Sequence, residues 1–223
     1  MSDSLQLQEL ENSLEGTLFY DELHKKIYAT DASAYRIMPL AVAIPKSEND
    51  IVNIICFASK NKISITPRTA GTSLAGQTVG SGIIVDVSKH FNKIVAFDRE
   101  KKTVTVQPGV IRDELNLYLK PHGLFFAPTT STTNRCMIGG MVGNNSSGTT
   151  SIRYGVTRDK IVEIKAVLSD GSTAVFKDLT SEEFIEKTKG DSLEGKIYKT
   201  IYEELSNKEN QEEILREFPK PEI

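Results

Sequence analysis

Between Gly71 and Gly82 the chain places four glycines, inside the stretch ITPRTAGTSLAGQTVGSG that begins at Ile65. An apolar, strand-like run leads in, and another, GIIVDVS, leads out. Glycine supports positive φ and lets a ligand approach the main chain closely. Successive N–H groups in such a loop converge into a concavity for anions. Thr69, Thr72 and Ser73 add hydroxyl donors. A phosphate or pyrophosphate suits this chemistry. Yet the stretch has no GxxxxGKS/T, and GTSLAG is not GxGxxG, so neither simple nucleotide fold fits.

The flanks predict a small α/β unit. AVAIP (41–45) reads as a strand stopped by Pro45. Ser47 to Asp50 resembles a helix cap, and Ile51, Ile54, Ile55 and Ala58 form one apolar face. KISIT (62–66) and GIIVDVS (82–88) complete a strand–helix–strand–loop–strand order. Upstream, leucines 5, 7, 10 and 14 predict a short helix, followed by an irregular segment, YATDASAYRIMP.

The second half has another rhythm. NKIVAFDREKKTVTVQPG alternates and turns as a hairpin does. VIRDELNLYLKPHG is a helix closed by Pro121 and Gly123, with His122 at its end. DKIVEIKAVLSDGSTAVF is a hairpin with an Asp-Gly turn. Beyond residue 178 a charge-rich helical region leads to FPKPEI, a Pro-x-Pro ending that reads as a linker in a longer protein. Between the hairpins lies APTTSTTNRCMIGGMVGNNSSGTTSIRYG, Ala127 to Gly155, expected to be irregular. Loops of that length signal function or disorder. Met137, Ile138, Met141, Val142 and Ile152 argue against disorder, and its glycines again open the main chain to a ligand. Two such loops could enclose one large, polyphosphorylated cofactor.

With a net charge of -3, nothing in the 223-residue chain points to nucleic acid or anionic membrane as a bulk partner. Two cysteines without a CxxC speak against a disulfide framework or a zinc site, and no metal is expected. The polar start predicts no signal peptide, and no apolar run reaches membrane-spanning length. His24 and His90 sit in polar company and are expected at the surface.

PRTAGTSLAGQ, APTTSTTNRCMIGGMVGNNSSG, IRYG and VLSDG together resemble the FAD-linked oxidase family, the vanillyl-alcohol-oxidase or p-cresol-methylhydroxylase (PCMH) type. The resemblance covers roughly residues 20–205 and is nearest to the 2-hydroxyacid dehydrogenase branch that acts on D-lactate, glycolate or D-2-hydroxyglutarate. It implies an α+β class and a two-subdomain PCMH-type FAD-binding fold: a small α/β subdomain, then a larger mixed or antiparallel one. The layout expected is a lead-in at 1–35, the first subdomain at 36–92, the second at 93–205, and a helical tail at 206–223.

The resemblance also assigns residues to FAD. Arg68, Thr69, Ala70, Gly71, Thr72 and Ser73, continued by Gly76 and Gln77, match the pyrophosphate loop. Pro128, Ser131, Cys136, Gly139 and Gly140 match the segment beside the flavin. Gly143, Asn145, Ser146 and Gly148 match the turn back toward the pyrophosphate. Tyr154 and Gly155 match a Tyr-Gly pair, and Ile161 a backbone edge near the adenine. Arg68 is expected to hold the loop through its carbonyls, and Arg36 is a candidate for a carboxylate or a rim salt bridge. Where the family reads Arg-Gly-Gly-Gly-Thr, this chain has Thr69 and Ala70 in place of two glycines. Thr72 stands where some branches carry a flavin-linking histidine, so FAD should be non-covalent. Cys136 reads as a small packing residue.

The implied enzyme passes hydride from a small 2-hydroxy acid to FAD, then electrons to an acceptor such as an iron–sulfur domain or subunit. Its catalytic residues belong to a cap domain outside this sequence, so this chain alone should be inactive. The expected location is the cytoplasm, or the membrane periphery for the full-length protein. Two rivals stand beside it: an NADPH-dependent flavoenzyme like UDP-N-acetylenolpyruvoylglucosamine reductase, and a non-catalytic flavin-holding module.

Overall fold

The structure, a computed structural model, describes residues 3–218. The FPKPEI ending beyond Phe218 lies outside them. The chain divides into two compact units, Met1–Ile161 and Val162–Ile223.

Unit 1 opens with α1 (Asp3–Asn12), β1 (Thr17–Phe19) and α2 (Glu22–Tyr28). The sequence hid β1, which is three residues long, and α2, which has no buried residue and is capped by Asp21 accepting from the N–H groups of Leu23 and His24. Next come β2 (Ala41–Ile44), α3 (Glu48–Asn61), β3 (Ile65–Arg68) and β4 (Ile83–Asp86). They form one sheet in the order β1-β2-β4-β3; the last three strands run parallel and β1 antiparallel. The Ser47 hydroxyl caps α3 as expected. The strand expected at 62–66 starts later, because Lys62 takes the left-handed conformation (φ 55) that closes α3. β3 therefore ends on Arg68 and delivers the glycine loop from its tip.

Leu7 and Leu10 of α1, Leu18, Ala41, Ala43, Ile54, Ile83 and Val85 make the first core. The fully buried Asp50 carboxylate ties its edge together, accepting from the N–H groups of Glu15 (2.9 Å), Gly16 (2.9 Å) and Lys46 (2.8 Å). Burial pushes its pKa up, but these hydrogen bonds outweigh burial and hold it below the usual carboxylate range.

The expected 92/93 boundary falls inside unit 1, between this sheet and the hairpin of β5 (Ile94–Asp98) and β6 (Thr103–Val106). α4 (Arg112–Leu119) follows, extended by a 3-10 turn through His122 to Gly123 (φ 71). The segment expected to be irregular contains two short helices, α5 (Ile138–Gly143) and α6 (Ser151–Tyr154). Half of α5 is glycine, which disguised it in the sequence. Burial overrides that propensity: Cys136, Ile138 and Met141 join Val110, Leu115 and Leu119 in the second core. His24 and His90 are half-buried at the surface, and the His24 ring stacks on Phe19 at 3.8 Å.

Unit 2 pairs β7 (Glu163–Val167) with β8 (Thr173–Lys177) through a turn in which Gly171 has φ 84. The hairpins β5–β6 and β7–β8 are separate two-stranded sheets. α7 (Ser181–Lys187) carries a complete capping box between Thr180 and Glu183; α8 (Leu193–Ser206) and α9 (Lys208–Glu217) follow. Among the described residues, no helix is long and apolar enough to cross a membrane.

Candidate functional site

Arg68 ends β3 half-buried and turns back beneath the loop that follows it. Its Nη1 donates to the carbonyls of Thr30 (2.9 Å), Tyr28 (3.4 Å) and Thr78 (3.4 Å). Thr78 belongs to the end of the loop, whereas Tyr28 and Thr30 belong to the lead-in. The guanidinium therefore joins loop to lead-in. It also lies 5.1 Å from the centre of the Tyr28 ring. The Tyr28 hydroxyl in turn donates to the buried Asp86 carboxylate at 2.6 Å. Burial first, then this bond, raises the Tyr28 pKa well above its ordinary value.

Above Arg68 the backbone turns at Gly71, whose φ is +65. A Cβ there would meet the Arg68 guanidinium at 2.5 Å. Thr69 and Ala70 are not among the positive-φ residues, so replacing the family's glycines leaves the turn intact. The Gly71 carbonyl accepts from the Ala32 N–H at 3.2 Å. Among the described residues, no protein acceptor takes the N–H groups of Ala70 to Leu74. Such a run of free donors is what an anion needs. Ser73 is engaged within the loop: its hydroxyl donates to Gln77 Oε1 (2.8 Å) and accepts from the N–H groups of Ala75 and Gln77. Gly76 (φ +71) lies beneath the Tyr35 ring, and Gln77 is exposed.

The second loop approaches the first at Gly140. A Cβ on Gly140 would stand 2.7 Å from Thr69 Oγ1, so a larger residue there would displace the Thr69 hydroxyl. The neighbouring Gly139 N–H donates to the Pro108 carbonyl (2.8 Å) and Ile138 N–H to that of Val110 (2.9 Å), which seats α5 on the second core. Cys136 is buried, with Sγ accepting from Thr130 Oγ1 (3.3 Å) and lying 3.7 Å from Met141 Sδ. It is the packing residue expected.

The remaining expected residues are held by contacts of their own. Gly143 is open to solvent, and Asn145 takes φ 46. Asn145 Oδ1 accepts from the Arg158 N–H at 3.0 Å, which binds the loop to the 3-10 turn that ends at Ile161. The buried Ser146 carbonyl accepts from the fully buried Thr157 hydroxyl at 2.6 Å. Gly148 packs against the Thr129 carbonyl and donates its N–H to Ser151 Oγ at 3.0 Å. Tyr154 stands edge-on to Phe125 with centroids 5.4 Å apart, and Gly155 has φ 78. Pro128 is buried and Ser131 exposed. Arg36 and Arg135 are exposed, and Arg153 lies over the Tyr154 ring.

Three residues of this network were not expected from sequence: Tyr28, Asp86 and Thr157. Each acts on a backbone group or a distant side chain, and no local motif marks that. An apolar surface groove lined by Leu193, Ile197 and Ile201 belongs to unit 2 and contains none of the expected residues.

Residues 39–177 match a family of FAD binding domains. D-2-hydroxyglutarate dehydrogenase of Escherichia coli (strain K12) is 38% identical over 218 residues, covering 96% of this chain and 21% of that protein. Glycolate oxidase subunit GlcD of Bacillus subtilis (strain 168) is 38% identical over 147 residues, covering 65% of this chain and 31% of that protein. The chain thus spans about a fifth of the length of the D-2-hydroxyglutarate dehydrogenases it matches. Among solved structures, an alkyldihydroxyacetonephosphate synthase superposes with TM-score 0.70 at 20% identity, over 83% of this chain and 37% of that one. The 6-hydroxy-D-nicotine oxidase of Arthrobacter nicotinovorans gives 0.65 at 23% identity, over 74% and 36%. These likenesses establish the α+β, PCMH-type FAD-binding fold.

Proposed function

This chain belongs to the FAD-binding-domain family, and we propose that it is the FAD-holding part of a longer flavin-dependent 2-hydroxyacid dehydrogenase. The observation that carries this reading is the approach of Gly140 to Thr69, which sets the two glycine-rich loops side by side. FAD is a cofactor long enough to need both. The N–H groups of residues 70–74 suit its pyrophosphate, since neutral donors balance that charge without a lysine. The segment from Pro128 to Gly140 would lie on the flavin side. Asn145, Ser146 and Gly148 would bring the chain back toward the pyrophosphate, with Tyr154, Gly155 and Ile161 beyond them. Thr72 offers no nitrogen for a covalent flavin link, and the Cys136 thiol is buried against Met141, so binding is non-covalent.

When bound, FAD supplies the acceptor for hydride from the substrate carbon. This chain's residues hold and orient it: Arg68 fixes the pyrophosphate loop, and the second core fixes the flavin-side segment. The substrate class is a D-2-hydroxy acid. D-2-hydroxyglutarate stands first, because the relative of that name is similar over 96% of the chain. The base that takes the hydroxyl proton, and the groups that hold the carboxylate, would come from a cap domain. Electrons would leave to an iron–sulfur domain or subunit, in the cytoplasm or at the membrane periphery. We retain 36–92 and 93–205 as the subdomain limits of this reading.

Flavin reduction under anaerobic conditions tests it. By itself the chain should hold FAD without turnover. Joined to the polypeptide that completes the enzyme, it should have its flavin bleached by a D-2-hydroxy acid. Bleaching by NADPH alone would favour the reductase reading, and bleaching by neither would favour a flavin-holding module.

A further inference from the structure

The segment 126–129 has no regular secondary structure, yet the carbonyls of Phe126, Ala127 and Pro128 are all satisfied, among the described residues by side chains. Arg112, at the start of α4 with its side chain 13% exposed, supplies two of the five donors, and Asn116, Thr129 and Thr150 supply one each. Its Nε donates to the Pro128 carbonyl at 3.2 Å, and its Nη2 to the Phe126 carbonyl and to Thr129 Oγ1, each at 3.2 Å. Nη1 pairs with Asp113 Oδ1 at 2.8 Å, which fixes the plane of the guanidinium. One turn further along α4, Asn116 grips the same segment from both sides of the Phe126 residue. Its Oδ1 accepts from the Phe126 N–H at 2.6 Å, and its Nδ2 donates to the Phe126 carbonyl at 3.2 Å. Thr150 adds a third grip: its Oγ1 donates to the Ala127 carbonyl at 2.8 Å and meets Thr129 Oγ1 at 3.1 Å.

α4 is anchored by Leu115 and Leu119 in the second core, so the clamp stands on a rigid element. A guanidinium presents several donors in one fixed plane, which a lysine ammonium cannot reproduce. We infer that Arg112 is a positioning residue: through the Phe126 and Pro128 carbonyls and Thr129 it sets the segment that faces the flavin, and so sets FAD affinity. This rests on the FAD reading above.

The test pairs amide hydrogen exchange with FAD titration, on the wild-type chain and on Arg112→Gln, Arg112→Lys and Thr150→Val. In Arg112→Gln, exchange at the Phe126 amide, whose N–H is held by Asn116 Oδ1, should quicken about tenfold while β4 amides change little, and FAD should bind about tenfold more weakly. Arg112→Lys should fall between it and wild type. Thr150→Val should loosen the same amide by removing a different grip, on the Ala127 carbonyl, which keeps the test sound if Arg112→Gln does not fold. Exchange at Phe126 that rises no more than in β4 would overturn the clamp. Faster exchange with unchanged FAD affinity would overturn its link to the cofactor. A wild-type chain that takes up no FAD would remove the FAD reading and with it that link, while the exchange pattern still decides the clamp.

Discussion

Gly140 and Thr69 touch so closely that a Cβ on the glycine would lie 2.7 Å from the threonine Oγ1. These residues are 71 positions apart in sequence, and each belongs to a different glycine-rich loop. Gly140→Ala sets two effects against each other. Alanine favours α5 by about 1 kcal/mol, whereas its methyl group displaces Thr69. Thermal stability should therefore change little while FAD affinity drops about tenfold. Adding Thr69→Ala removes the obstructing hydroxyl and should restore most of that loss. Titrations of the single and double variants decide the matter, and absence of recovery would mean that the contact is not the cause.

Gly71→Val should end FAD retention. A β-branched residue at φ +65 is strained by about 1–2 kcal/mol, and its Cβ would press on the Arg68 guanidinium. A urea melt should give a loss of about 2 kcal/mol with the fold retained. A variant that keeps its flavin bands after desalting would show that the loop does not hold the pyrophosphate.

Tyr28→Phe leaves one oxygen of the buried Asp86 carboxylate without its 2.6 Å donor, while the Ser88 N–H still serves the other at 2.8 Å. The expected loss is about 2 kcal/mol at neutral pH. The raised pKa of Tyr28 also sets a pH dependence. The native fold binds this proton more tightly than the unfolded chain does. The stabilisation is thus complete below about pH 10 and declines as pH rises beyond it. Denaturation between about pH 8 and 11 should show the wild type losing its advantage over Tyr28→Phe at the alkaline end.

Asp50→Asn tests the acid limb. Its folded pKa is lowered, so the contribution is present above about pH 4, the unfolded value, and fades as pH falls through the lower folded value. At about pH 7 the amide should cost about 2–3 kcal/mol, since its NH2 would face the N–H groups of Glu15, Gly16 and Lys46. The gap between wild type and variant should close at acid pH in equilibrium melts.

Elements with a clear period are legible in the amino-acid sequence: β2, α3, β4 and both hairpins follow alternation or an apolar face. The elements that escape have physical reasons. β1 is too short to alternate, α2 has no buried face, and glycines conceal α5. The two loops are visible because glycine and hydroxyl residues cluster in each, but their meeting at Thr69 and Gly140 is a tertiary fact. Arg112 looks like any charged residue at a helix start. Its partners are carbonyls 14 and 16 positions away, which carry no side-chain signature.

The central claim is that these two loops together hold FAD. The most direct measurement is the visible absorption spectrum of the purified chain, before and after FAD is added and the excess is removed by desalting. The account predicts flavin bands that stay with the wild-type protein in stoichiometric amount and disappear in Gly71→Val. A folded wild-type chain that neither retains FAD nor binds it in titration would contradict the account.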